Sequence, residues 1–292
     1  MLRSISSRTR LAFLSLFFAC ALPSAADAQD AIDDRAIKEA FKSKLSSFLD
    51  AAVVPPASEL RSQLSREPTF KGALEARQEV NELTPSSVYS QAKKATVIVG
   101  HLYLCDKCDQ WHSGLAGGVI VSEDGLVLTN YHVLDVDRSA IFGAMTDNGE
   151  VFPVAKIMAA SKANDVSLIK LSGASGLSSA SIAEPPMIGD DVFVVSHPDS
   201  HFFTLTSGRV SRFSIEPEQR TKRMEITAEF ARGSSGSGVF DRYGHLVGLV
   251  AATNSIYYNQ DAKTQKNLQM VIETCVPLSA IEALFEASPP RP

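Results

Sequence analysis

The chain is poor in the residues that hold small exported scaffolds together: four cysteines and one tryptophan in 292 residues. So few cysteines exclude a fold built on disulfides, and a chain of this length is long enough to bury a substantial core instead. There is no excess of positive charge. Twenty-eight Lys and Arg face 33 Asp and Glu, a formal net charge of -5, with no basic cluster. That excludes nucleic acid as a partner, because its phosphates must be neutralised by Lys and Arg. Internal repeats and low-complexity tracts are missing too. Beyond the N-terminus no apolar run is long enough to cross a bilayer. Nothing in the chain calls for a cofactor.

The first 28 residues read as a secretory signal peptide. Arg3, Arg8 and Arg10 form the positive region, Leu11 to Leu22 the apolar core, and Ala26-Asp27-Ala28 the small-residue cleavage pattern. The leader carries a net +2, which leaves -7 for the rest of the chain. The expected location is therefore the periplasm or the exterior.

Residues 29–86 carry helical signals without strand signals. Ile37, Phe41, Leu45, Phe48, Leu49 and Ala52 share one helical face, and Pro55-Pro56 stops that helix. A weaker stripe of Ala73, Ala76, Val80 and Leu83 ends at Thr84-Pro85. Three readings stay open for this region: a pro-segment, an arm for homo-oligomerisation, or an N-terminal extension packed on the rest of the chain.

From Ser87 the pattern changes to short apolar runs punctuated by turns, as all-β domains show. Strands are expected at residues 95–99, 101–104, 119–121, 126–128, 166–171, 192–195, 202–206, 224–226, 239–240 and 246–251. Glu123-Asp124-Gly125 makes a hairpin of the third and fourth. Residues 172–186 form a Ser/Gly/Ala/Pro-rich connector, and Leu278 to Phe285 a closing helix. Two clusters of strands joined by a linker imply an all-β domain over 87–286, built as two β-barrels or a two-part sandwich, with a short tail at 287–292.

The chemistry centres on Arg232-Gly233-Ser234-Ser235-Gly236-Ser237-Gly238, where small residues crowd a turn. A serine at the tip of such a turn is exposed, and neighbouring N–H groups can aim at charge developing on a substrate oxygen. Upstream, His132 follows the 126–128 strand and Asp165 precedes the 166–171 strand. Serine as nucleophile, histidine as base and aspartate as the group orienting the imidazole make a complete acyl-transfer set, with Gly233 and Ser235 N–H groups as the oxyanion hole. The order His, Asp, Ser differs from the α/β-hydrolase order, and position 237 is Ser where Gly-x-Ser-x-Gly requires Gly.

Ser113–Val121, Leu128–Val133, Asn164–Lys170 and Gly233–Gly236, together with Asp190–Pro198 and Thr206–Ser211, resemble trypsin-like peptidases of the Deg/HtrA type. The resemblance covers about Ser87 to Phe285. It implies two six-stranded β-barrels with an active site between them, and His132, Asp165 and Ser235 as catalytic residues. Departures exist as well. The family's usual Gly-Asn-Ser-Gly-Gly-Pro is replaced by Ser234, Ser237 and Gly238 around the nucleophile. Ser234 offers no carboxylate for a freed N-terminus. The chain ends soon after the barrels, leaving no room for a PDZ domain. The implied function is a serine endopeptidase acting on protein substrates, unfolded ones above all. The alternative is an inactive protease-like module that binds peptides or acts as a chaperone.

Two local features remain. Cys105-x-x-Cys108 with His112 has the start of a zinc pattern, but no second pair is present, so the expectation is a local disulfide and no metal. For the substrate pocket the candidates are Glu229, Arg232, Leu249, Val250 and Ala251. Glu229 pointing outward or paired with Arg232 implies preference for Val, Ala or Leu before the scissile bond. Glu229 pointing inward implies Lys or Arg.

Overall fold

A computed structural model describes residues 31–52, 54–72, 81–182, 184–260 and 264–285. The leader and most of the 73–83 stripe lie outside the described residues. From Asp33 onward the chain forms one compact unit. It begins with α1 (Asp34–Ala51), capped by the Asp33 carboxylate, which accepts the Ala36 N–H at 2.9 Å. Next come α2 (Ala57–Leu64) and α3 (Pro85–Ala95). The sequence pattern placed a helix end at Thr84-Pro85. The structure makes it a start: the Thr84 hydroxyl accepts the Ser87 N–H, and Pro85 sits at the first helical position, where its missing N–H is no loss.

Six strands follow: β1 (Thr96–Leu104), β2 (Trp111–Ile120), β3 (Leu126–Thr129), β4 (Ser139–Met145), β5 (Val151–Ser161) and β6 (Val166–Leu171). They close into an antiparallel barrel in the order β1-β2-β3-β6-β5-β4. A one-turn helix, α4 (Tyr131–Leu134), leaves the end of β3. The second barrel uses β7 (Asp191–Ser196), β8 (Thr204–Ile215), β9 (Lys222–Ile226), β10 (Gly238–Phe240), β11 (Leu246–Gln260) and β12 (Gln265–Pro277), closed as β10-β11-β12-β9-β8-β7. The helix α5 (Leu278–Glu282) ends the described chain. The all-β expectation of two six-stranded barrels therefore holds. β4, β5 and β12 had no counterpart among the expected strands.

Strand alternation sorts the core. On β11, Val250 turns into the second barrel beside Val194, Met224 and Cys275, while Leu249 faces a separate cluster that includes Phe193 and Phe240. The same cluster takes Phe41 and Leu45 of α1, both fully buried. Leu60 and Leu64 of α2 pack with the interior of the first barrel, beside Ile120, Val127 and Ile169. The apolar faces of the N-terminal helices are thus covered by the chain's own barrels. Among the described residues no helix is long and apolar enough to cross a membrane.

Candidate active site

The first barrel delivers a histidine and an aspartate. His132 lies on α4, immediately after β3, and Asp165 on the turn before β6; these strands are hydrogen-bonded neighbours from Leu126↔Lys170 to Thr129↔Ser167. His132 Nδ1 lies 3.0 and 2.9 Å from the two Asp165 carboxylate oxygens, and the His132 backbone N–H donates to Oδ1 at 3.0 Å. With a carboxylate as acceptor, Nδ1 carries the ring hydrogen and Nε2 is left basic. The imidazole side chain is 51% exposed and the carboxylate 22%, so the ring is open to solvent and the carboxylate is the more sheltered of the two.

Asp165 holds a left-handed backbone, φ 56°, which a non-glycine residue keeps only where neighbours fix it. Asn130 Nδ2 donates to the Asp165 carbonyl at 2.9 Å. From the second barrel, buried Arg223 donates to the carbonyls of Asn164 at 2.8 Å and Ala163 at 3.2 Å. Both residues were missed by sequence reasoning. No local pattern marks them, because their partners lie 35 to 60 positions away.

The second barrel delivers Ser235, on the turn before β10. This turn is docked on the first barrel: the Gly117 N–H of β2 donates to the Ser235 carbonyl at 2.7 Å, and Thr129 Oγ1 holds the Gly117 carbonyl at 2.8 Å. A Cβ on Gly117 would stand 2.0 Å from Ser237 Oγ, so only glycine allows this approach. The Ser235 hydroxyl donates to the Ala251 carbonyl at 3.4 Å.

Gly233 adopts φ 97°, and a Cβ there would stand 2.7 Å from the His197 carbonyl oxygen. The Arg232 carbonyl accepts the Asp199 N–H at 2.7 Å. In a trans peptide the next N–H points the opposite way, so the Gly233 N–H is turned from the Asp199 side. Among the described residues neither the Gly233 nor the Ser235 N–H has a protein acceptor. The loop behind them is braced by His197, 1% exposed, whose Nε2 donates to the Val97 carbonyl and whose Nδ1 accepts the Phe203 N–H at 3.1 Å. Burial lowers its pKa to about 4, so it stays neutral and keeps both bonds.

The pocket candidates separate. Leu249 and Val250 are fully buried in the core clusters, and Ala251 presents its carbonyl to Ser235. Glu229 and Arg232 are exposed. Among the described residues the buried acids are Glu225 of β9 and Glu273 of β12, the latter 5% exposed and opposite Thr253. The Phe230 N–H, five residues before Ser235, donates to the Glu273 carboxylate, and Glu273 Oε2 has no partner among the described residues. Burial, reinforced by the Glu229 charge, raises its pKa to about 7. Cys105 and Cys108, expected as a disulfide, stand as two free thiols. Cys275 is fully buried within the second barrel, which pushes its thiol pKa well above the usual value.

Residues 116–249, which contain His132, Asp165 and Ser235, match the family described as Trypsin-like peptidase domain. The serine endoprotease DegS of Salmonella typhimurium (strain 14028s / SGSC 2262) is 28% identical over 199 residues, covering 65% of this chain and 54% of the relative. The periplasmic serine endoprotease DegP of Escherichia coli (strain K12) is 29% identical over 144 residues, 47% of this chain and 30% of that protein. The chain thus spans about half the length of the DegS relative. Among solved structures, the HtrA-type protease AlgW with tripeptide superimposes with a TM-score of 0.56 at 19% identity, over 68% of this chain and 62% of that one. The two closed barrels are accordingly the fold of that protease, and the chain carries a trypsin-like peptidase domain homologous to the Deg serine endoproteases.

Proposed function

We propose that the protein is a serine endopeptidase in which Ser235, His132 and Asp165 form the catalytic triad. The observation that carries this reading is the pairing of His132 Nδ1 with both Asp165 oxygens at 2.9–3.0 Å, on the face of the barrel where the Ser235 turn is docked. In the reaction Ser235 Oγ leaves the Ala251 carbonyl, gives its proton to His132 Nε2 and bonds to the substrate carbonyl carbon. The resulting oxyanion is held by the N–H groups of Gly233 and Ser235. Collapse breaks the C–N bond as His132 returns the proton to the leaving nitrogen. Water then repeats the sequence on the acyl-enzyme and regenerates the serine.

The substrates are proteins, unfolded ones foremost, met after export; relatives named as periplasmic endoproteases support that setting. Exposure of Glu229 supports preference for Val, Ala or Leu before the scissile bond. Digestion of a denatured protein, with the new C-termini sequenced, checks this. A majority of Lys and Arg would overturn it and assign Glu273 to the pocket base.

One observation favours the second reading, an inactive peptide-binding or chaperone-like module: the Ser235 hydroxyl rests on Ala251 rather than on His132. A fluorophosphonate probe separates the two. Stoichiometric labelling of Ser235 is expected, since it requires an activated hydroxyl and an open oxyanion hole together. A folded wild-type protein that neither labels nor cleaves casein faster than Ser235→Ala would leave the module reading.

A further inference from the structure

The tip of the β1–β2 hairpin, on the edge of the first barrel, has no part in the proposed reaction, yet three metal-ligating side chains converge there. The strands pair up to Tyr103↔His112 and Leu104↔Trp111, and the Cys105 N–H closes the turn on the Gln110 carbonyl at 3.3 Å. This register brings His112 back over the turn. Its Nε2 lies 3.2 Å from Cys108 Sγ, and the ligand atoms of Cys105, Cys108 and His112 all lie within 4.8 Å of one another. The imidazole is also held from the other side, stacked on Tyr103 with ring centroids 5.7 Å apart and 27° between planes. The Lys107 N–H points at Cys105 Sγ at 3.4 Å, a contact that favours a thiolate. The turn itself is anchored: Asp106 pairs with Arg138, just beyond the loop that leaves α4.

We propose that Cys105, Cys108 and His112 form a binding site for a single borderline-soft divalent cation, zinc being the natural occupant. In a tetrahedral zinc site with bonds of about 2.0–2.3 Å, neighbouring donors stand roughly 3.5–3.8 Å apart. The Cys108–His112 separation is close to that already, and small rotations about the cysteine side chains bring in Cys105. Two thiolates and a neutral imidazole form a donor set that suits zinc and disfavours calcium or magnesium. Cys108 and His112 are exposed, so the fourth position opens to solvent and takes a water. Binding releases two protons, one from each thiol, and needs no electron acceptor. A Cys105–Cys108 disulfide would need an oxidant and would leave His112 without a role at the turn.

Cobalt(II) reports such a site directly, because thiolate ligation gives a near-ultraviolet charge-transfer band and tetrahedral geometry gives strong visible bands. The full chain, reduced and freed of metal, is titrated with cobalt and then with zinc. One equivalent of cobalt is expected to bind with both signatures, and zinc is expected to displace it. Cys105→Ser and Cys108→Ser should each weaken the charge-transfer band. His112→Gln should weaken cobalt binding at least tenfold, while circular dichroism shows each variant folded. The proposal is overturned if the folded, reduced wild type gives no charge-transfer band, or if His112→Gln binds cobalt as tightly as the parent. It is equally overturned if protein produced with zinc in excess is isolated metal-free with Cys105 and Cys108 joined, as intact mass before and after reduction would reveal.

Discussion

The surroundings of the His132–Asp165 pair and of the Ser235 turn are built differently. On the first barrel, His132 and Asp165 are fixed by a dense set of bonds: both carboxylate oxygens on one imidazole, the His132 amide on the same carboxylate, and Asn130 and Arg223 bracing the turn behind. On the second barrel, several buried polar atoms have no partner among the described residues. The hydroxyls of Ser196, Ser234 and Ser237 and Oε2 of Glu273 are buried and unpaired, against Asn130 Oδ1 and the Ser167 hydroxyl on the first side. Buried polar groups left without partners cost stability, whereas a satisfied network rigidifies its surroundings. The His132–Asp165 pair is therefore held in one geometry, while the surroundings of Ser235 keep capacity for new hydrogen bonds.

The largest expected effect tests whether the two sides act as one device. Ser235→Ala should lower turnover on the order of a million-fold, and His132→Ala by a similar factor, because triad members fail together. Asp165→Asn should cost on the order of ten-thousand-fold through the wrong imidazole tautomer. Stability of Ser235→Ala should change by less than ~0.5 kcal/mol. Casein cleavage and urea melts measure both; a His132→Ala enzyme retaining most activity would show that the first side is dispensable.

Next comes the support of the first barrel. Phe41 of α1 is fully buried, and Phe41→Ala should destabilise the protein by about 3–5 kcal/mol in urea titration. A loss below ~1 kcal/mol would mean that the N-terminal helices are a loosely held arm and not a wall of the core.

The pH dependence separates the barrels further. His101 in the first barrel and His197 in the second both have pKa values lowered to about 4 by burial. Each contributes stability present above its ordinary pKa of 6.5 and lost as pH falls toward 4. Glu273, raised to about 7, has the opposite sign: its ionisation is penalised in the fold, so stability declines as pH rises from 4.5 through 7. In the overlap, between pH 4.5 and 6.5, Glu273 cancels one histidine. Glu273→Gln should therefore make stability rise more steeply with pH there, by roughly 1 kcal/mol per pH unit. Parallel stability curves for the two proteins would remove Glu273 from the account.

The smallest effect is expected at the hairpin tip. With metal absent, Cys105→Ser/Cys108→Ser should shift stability by less than ~0.5 kcal/mol and leave peptide cleavage unchanged, since the turn from Asp106 to Gln110 is exposed. A shift of several degrees in Tm would assign the tip a structural role even without an ion.

Much of the fold was legible because its signals are local. Short apolar runs bounded by turns mark strands, and the 166–171 run is β6 to the residue. His132, Asp165 and Ser235, the proposed triad, could be singled out for the same reason, each lying beside a strand or a glycine turn. Thr84-Pro85 was read in the wrong direction because an N-cap threonine with proline beside it comes after a weak stripe and so resembles a stop. β4, β5 and β12 were missed although they carry apolar residues. β12 runs from exposed to buried along its length, so no single period describes it.

By itself, then, the sequence determined the all-β class, the two barrels through its resemblance to a family, the chain order of the three proposed catalytic residues and the glycine turn that carries one of them. All are properties of short stretches and their order. Only the tertiary structure decided which groups support them. Arg223 reaches the turn of Asp165, Asp199 holds the Arg232 carbonyl, Gly117 receives the serine turn, and Glu273, unlike Glu229, is buried. Each of these depends on barrel closure and on the docking of one barrel against the other. Those steps place residues tens of positions apart within hydrogen-bonding distance, and no local pattern in the chain encodes which pairs will meet.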